Sequence, residues 1–263
     1  MLCANIMQWS FTLIQCEEAS TFAQRVEKVI EKTEYRRADR WEDKEAIFKL
    51  RHQAYSREGY IEQNPEGIFQ DAEDDVPNAW LIGLYIDGEL AGSVRLHVAS
   101  RTEHYLPITA RFTDAIAPRL QAGNVIVDAT RMSSRLEISR AYPCMPYLLM
   151  RCAFLAEDHF GADYLTAACR IEYEGAYRRM WGAKRMAGPL PYPPLARPHV
   201  VMAHEHKTMG TAVRARYPFL RSTKEERHAL FSRSSNVARD LYDELTSGRQ
   251  PREVMQHEMA CVA

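Results

Sequence analysis

Apolar residues recur along the chain in two rhythms, one of helices and one of strands. Phe22, Val26, Val29 and Ile30 repeat at helical spacing within residues 18–33, with Ser20 or Thr21 placed as an N-cap. A short polar strand, Glu34–Ala38, precedes a second helix at about 42–57, whose first turn holds Glu42, Asp43 and Glu45, where the helix dipole favours anions. Residues 79–98 alternate as two strands around Asp87-Gly88, a two-residue hairpin signal. The polar stretch 99–123 reads as a short helix and loops, and Val125, Ile126 and Val127 open a buried strand over 124–132. A strongly apolar helix at 144–160 stops at Gly161. Then come a strand at Tyr164–Cys169, a helix at 172–181, and a turn with a short strand through Gly182–Gly188. Pro189, Pro191, Pro193, Pro194 and Pro198 predict a rigid arm before a last short strand, Val200–Ala203, and residues 209–263 read as helices with a polar tail over Thr223–Arg252. Strands alternate with helices only in the second half. This order predicts an α+β fold, a mixed sheet with helices on both faces, rather than a doubly wound parallel sheet. It divides into an N-terminal helical extension (1–33), a main domain (34–222) and a C-terminal helical tail (223–263).

Several charges interrupt the apolar positions. The stripe Ile47, Leu50, Ala54 of the second helix is completed by Arg51, a cation on a core-facing line. Either only its stem is buried and its head reaches water, or it meets a carboxylate from a later loop. Residues 58–78 offer such a loop, long and acidic, with Asp71, Asp74 and Asp75. Arg95 sits among strand apolars. Asp128 and Arg131 follow Val125-Ile126-Val127 with no turn between them, and each needs a partner or a task if buried. A structural ion pair at a strand end and a catalytic carboxylate both fit that stretch.

Composition narrows the setting. Of 263 residues, 46% are hydrophobic and 26% charged, the balance of a globular protein, and a formal net charge of −1 provides no field for nucleic acid or an anionic membrane. The six cysteines include no Cys-x-x-Cys pair, which suits reduced thiols and a cytoplasmic location. No apolar run approaches the roughly 18 residues of a spanning helix. Residues 1–16 lack a basic start and a small-residue cleavage site and read as a loose extension or docking helix. His199, His204, Glu205 and His206 include a His-x-His but lack supporting ligands, so no metal is expected.

The ordered polar set resembles the GCN5-related N-acyltransferase fold. More narrowly, it resembles the N-acylhomoserine lactone synthases and their relatives, the N-acyl amino acid synthases that make long-chain N-acyl tyrosines. That group has an Arg and an aromatic four residues apart on the first helix, an aromatic soon after, Asp-x-x-Asp before the second strand, Arg on the third strand and an acid-x-x-Arg on the fourth. Here these places hold Arg51 and Tyr55, Tyr60, Asp71 and Asp74, Arg95, and Asp128 and Arg131. Tyr55, Tyr60 and Asp128 replace the Phe, Trp and Glu of the lactone synthases, which favours the amino acid branch. The acetyltransferases cradle the coenzyme A pyrophosphate on a glycine-containing turn. Ser133 to Pro146 contains no glycine. The resemblance therefore implies, as donor, the acyl-phosphopantetheine arm of acyl carrier protein, with no tightly bound cofactor.

The reaction so implied is aminolysis of an acyl thioester by an amino acid. An α-amino group with a pKa of about 8 is mostly protonated at pH 7, so a base is required. Asp128 is the expected base, with Glu172 and Glu174 next, and Arg131 either orients Asp128 or grips the acceptor carboxylate. Positions three apart on an ideal strand face opposite sides, so a β-bulge is needed if Asp128 and Arg131 share one site. Arg51, Asp71, Asp74 and Arg95 are expected to lock the 58–78 loop. Met145, Leu148, Leu149, Met150, Phe154 and Trp181 are candidates for an acyl slot, each also a plain core residue. Arg135, Arg140 and Arg151 are candidates for the donor phosphate or an acidic carrier surface. A lactone synthase, a coenzyme A-dependent N-acetyltransferase of the same fold and a non-catalytic acyl- or carrier-binding module are the alternatives, and a homodimer stays open.

Overall fold

The computed structural model describes residues 22–232, so the 1–16 extension and most of the polar tail lie outside the described residues. Among the described residues, seven strands form one sheet in the order β1-β2-β3-β4-β5-β7-β6. After α1 (22–30), β1 (Thr33–Arg37) takes the edge, followed in the chain by α2 (Trp41–Arg57), β2 (Ala79–Ile86) and β3 (Glu89–Ala99). The β2–β3 turn is Asp87-Gly88, with φ of 51° and 84°, the left-handed pair that a tight hairpin of this twist requires. The chain continues through α3 (Thr113–Gln121), β4 (Ile126–Ser134), α4 (Leu136–Ala141), α5 (Met145–Phe160), β5 (Tyr164–Arg170), α6 (Glu174–Trp181), β6 (Lys184–Tyr192), β7 (Leu195–Glu205), α7 (His206–Arg216) and α8 (Lys224–Phe231). Every pairing is antiparallel except β4 with β5.

Alternation along the strands separates two faces. Val94, Leu96, Val98, Val127 and Leu165 enter a large core under α5, together with Ala23, Val26, Leu230 and Phe231 of α1 and α8. Leu81 and Ile126 point the other way, into two smaller clusters under α2 and α3. Between those two clusters, on the same face, stand the polar positions Arg95, His97, Asp128 and Thr130, all buried.

Two expectations need correction. The proline stretch is not a free arm. β6 runs through Pro189 and Pro191, Pro193-Pro194 make the turn, and β7 runs from Leu195 to Glu205 rather than over four residues. Proline is tolerated there because β6 is an edge strand with a single neighbour. Arg151 is not free to meet a donor. It is buried, with Nε donating to the Phe219 carbonyl at 2.7 Å and its η nitrogens to the Glu226 carboxylate, so it clamps α8 to α5. No helix among the described residues is long and apolar enough to cross a membrane.

Candidate active site

β4 and β5 pair over only three positions, from Ile126 with Tyr164 to Asp128 with Thr166. Beyond that point β4 stays with β3 and β5 stays with β7, and the two strands splay. A cavity of about 470 Å³ fills the opening. Ala129 to Ser134 form one wall and Ala168, Cys169 and Arg170 the other. Tyr55 and Tyr60 approach from α2 and the residues after it, Tyr177 and Met180 from α6, and Tyr192 and His199 from the β6–β7 hairpin. A pair of strands that separates in this way leaves backbone groups along the β4 edge without a neighbouring strand, which is where a polarised carbonyl can be received.

The wall at Arg131 is shaped by a bulge. Arg95 pairs with Thr130 but Ser93 pairs with Ser133, so Arg131 and Met132 together oppose Val94. Arg131 has φ 53°, a conformation that costs a non-glycine residue on the order of 1–3 kcal/mol. Two hydrogen bonds to one oxygen of Asp71, from Nε at 2.9 Å and Nη2 at 2.6 Å, hold it there. Asp71 and Asp74 cap a short turn reciprocally: the Asp71 side chain accepts from the Glu73 N–H and Asp74 from the Asp71 N–H. Asp74 also accepts from Arg51 Nη1 at 3.0 and 2.8 Å, and Arg95 reaches both acids. Burial raises the pKa of each acid, but the adjacent guanidiniums outweigh it and hold both below the usual carboxylate range. Three guanidiniums thus meet two carboxylates.

Asp128 has a different environment. It is fully buried, and Oδ1 accepts from the Thr166 hydroxyl at 2.7 Å while Oδ2 has no hydrogen-bond partner. Burial pushes its carboxyl up to about 7, against the smaller opposing effects of the Thr166 hydrogen bond and the Arg95 charge. His97 stands opposite it on β3. His97 Nε2 lies 2.9 Å from the Glu73 carbonyl, which can only accept, so Nε2 carries the hydrogen and Nδ1 is a bare acceptor, also without a partner. Burial, with Arg95 adding to it, pushes the His97 pKa down to about 3, so the ring is neutral at pH 7. A group titrating near pH 7 beneath a cavity is suited to take a proton from an amine.

The family model of the N-acyl amino acid synthase FeeM matches residues 46–205, more than half of the chain. The chain belongs to the FeeM family of N-acyl amino acid synthases. It is an acyltransferase. The search of curated protein sequences gave no significant match. Among solved structures the chain is similar to FeeM, an N-acyl amino acid synthase from uncultured soil microbes, with a TM-score of 0.57 at 14% identity over 71% of this chain and 97% of that one. It is also similar to TofI, solved in a ternary complex with an inhibitor and MTA, with a TM-score of 0.52 at 17% identity over 72% of this chain and 100% of that one. At these identities the likeness establishes the fold, that of the GCN5-related N-acyltransferases.

Within this family fold, the structure brings Tyr55, Tyr60 and Arg131 to the cavity wall and gathers Arg51, Asp71, Asp74 and Arg95 beneath it. Arg51 does not reach water; its partner is Asp74. Asp128 lies under the wall rather than on it, and Arg131 makes no hydrogen bond to it. Other expectations are not met. Met145, Leu149 and Trp181 do not line the cavity. A Cβ on Gly92 would come within 3.2 Å of Met145 and 3.1 Å of Leu149, so these side chains are spent filling the space that the glycine leaves on β3. Leu148, Met150 and Phe154 lie in the same core, and Trp181 packs on Phe154 and Tyr177. The apolar wall is instead Met132, Pro146, Ala176 and Met180. Glu172 is exposed and outside the lining, and Glu174 pairs with Arg178 and Arg185. Arg135 lies at the N-terminus of α4, 3.8 Å from Glu89, with Arg140 at the other end of that helix. His199 lines the cavity, whereas His204 and His206 face Glu157. No cluster able to hold a metal occurs among the described residues.

Sequence reading missed His97, Thr130, Thr166, Arg170, Tyr192 and His199 as members of the site. Period-two alternation carried a signal for two of them: His97 follows Arg95, and Thr130 follows Asp128, on one strand face. Tyr192 was hidden among prolines that read as an arm.

Proposed function

We propose that the protein transfers a long-chain fatty acyl group from the phosphopantetheine thioester of acyl carrier protein to the α-amine of an amino acid, in the cytoplasm. The observation that carries this reading is the opening between β4 and β5, with a buried carboxyl near neutral pKa at its base. The thioester enters the opening, and its oxygen is met by backbone N–H groups on the free edge of β4. The amine attacks the carbonyl carbon. Asp128 takes the amine proton, through a water where the bound amine does not reach it; as the tetrahedral intermediate collapses the C–S bond breaks, and the departing thiolate takes up that proton to leave as the thiol. Met132, Pro146, Ala176 and Met180 offer an apolar path, on which each buried CH₂ contributes about 0.8 kcal/mol. The absence of glycine from Ser133 to Pro146 supports a single-phosphate donor, with Arg135, the residue after Ser134 of the cavity wall, and Arg140 as candidate phosphate contacts.

The test is incubation of the full chain with matched acyl-carrier protein and acyl-coenzyme A donors and a pool of amino acids, with thiol release and product masses recorded. N-acyl amino acid formed at least tenfold faster from the carrier protein is expected. Equal or faster turnover from coenzyme A would overturn the donor assignment, and thioester cleavage with no amide product would overturn the acceptor.

A further inference from the structure

Three arginines line the cavity: Arg57, Arg131 and Arg170. Arg57 lies 3.5 Å from Glu58, and Arg131 is held by Asp71. Arg170 forms no salt bridge among the described residues, and Glu172 acts on it only as a weaker, more distant charge. Its guanidinium lies 4.5 Å from the ring centre of Tyr60 and 4.8 Å from that of Tyr173. One η nitrogen donates to the Tyr173 hydroxyl, and the buried Nε has no hydrogen-bond partner. On β5, Arg170 shares its face with Thr166, the residue bonded to Asp128, and it pairs in register with His199 on β7. A guanidinium held against two rings is already oriented, so little side-chain freedom remains to be lost when an anion arrives.

We propose that Arg170 binds the carboxylate of the acceptor, placing the α-amine in the β4–β5 opening. This rests on the acceptor being an amino acid. The assignment favours Arg170 over Arg131 because Arg131 already gives Nε and Nη2 to Asp71, and turning it to a ligand would take from a partly buried acid one of its two guanidinium partners. Arg170 gives one η nitrogen to a neutral hydroxyl, so turning it to a ligand leaves no carboxylate uncovered. Tyr60, the more buried of the two rings, shields one side of the pair from water.

The test uses the full chain, the pairs tyrosine with tyramine and leucine with isopentylamine, and the variants Arg170→Met and Arg170→Lys. Binding is measured by calorimetry, and kcat and KM by thiol release. A hydrogen-bonded charge pair contributes about 1.5–3 kcal/mol, or roughly 10- to 150-fold. The wild type is expected to prefer at least one amino acid over its amine by a factor in this range, in binding and in KM. Arg170→Met should abolish that preference while changing amine binding less than about twofold, and Arg170→Lys should restore part of it. Equal weakening of acid and amine would overturn the proposal, as would a preference that survives in Arg170→Met. So would a rise confined to the KM of the acyl donor, which would place Arg170 on the donor phosphate. A wild type that binds neither amino acid better than its amine also overturns it. Carboxylate-dependent binding with no N-acyl product would retain the Arg170 site and remove the acyl-transfer reading.

Discussion

Asp74 and Asp128 are both buried acids within the influence of Arg95, and they reach opposite states. Asp74 accepts from Arg51 and a backbone N–H and forms an ion pair with Arg95, and its pKa falls below the carboxylate range. Asp128 accepts from one hydroxyl, and its pKa rises to about 7. Burial opposes ionisation in both, so it does not distinguish them. The guanidinium charges and the donors that reach each carboxylate do. The 71–74 turn uses its arginines to fix the loop beneath the cavity, while Asp128 is left under-compensated and able to exchange a proton. Structural and chemical duties are thus divided between neighbouring acids by the cations and hydrogen-bond donors that reach each one.

The comparison breaks most visibly at Asp128. Asp128→Asn is expected to lower kcat by 10²- to 10⁴-fold, the usual contribution of a positioned base, and to remove the acid limb of the pH–rate profile near 7. An unchanged rate in steady-state assays would move the base elsewhere. On the other side of the comparison, Arg51→Met removes the cation from a pair whose side chains have no exposed surface, and it should cost about 3–5 kcal/mol in urea unfolding. A loss under 1 kcal/mol would mean that Arg95 alone compensates Asp74.

The smallest effect sharpens the contrast through its sign. The folded pKa of Asp128 lies above its unfolded value of about 4. Its protonated form therefore supports the fold fully below pH 4, and that support is lost as pH rises through about 7. Asp71 and Asp74 act oppositely: their lowered pKa values stabilise the fold above about pH 4, and this is lost as pH falls through the folded values. Asp128→Asn should therefore be more stable than the wild type at pH 8, by an amount on the order of 2 kcal/mol, and closer to it at pH 5. Melting temperatures at the two pH values check this, and a variant less stable at pH 8 would contradict the buried charge.

Much of the site was legible because a charge inside an apolar rhythm is an anomaly that a single sequence reveals. Arg51, Arg95 and Asp128 each stood out in this way, and the acidic loop offered the partners that Arg51 and Arg95 in fact take. Glu172 was misplaced because a carboxylate at a helix start looks the same in sequence whether it faces a cavity or solvent. Met145, Leu149 and Trp181 failed for a similar reason, since an apolar residue carries no mark of whether it fills a core or lines a slot. For Met145 and Leu149 the core role follows from Gly92 on β3, and for Trp181 from packing on Phe154 and Tyr177.

Most of the elements, the mixed sheet and the polar set that must share a space follow from the sequence alone, the β6–β7 hairpin excepted, because periodicity and the cost of burying charge act locally or demand partners. Only the tertiary structure decided where β4 and β5 part, which arginine each carboxylate receives, and that Asp128 is left with a single hydroxyl. Those outcomes depend on register and on the left-handed turn at Arg131, which is set by the 60-residue separation between Arg131 and Asp71 being closed in space. The same closure leaves Arg170 between two tyrosines with a donor to spare, a position that no local pattern on β5 announces.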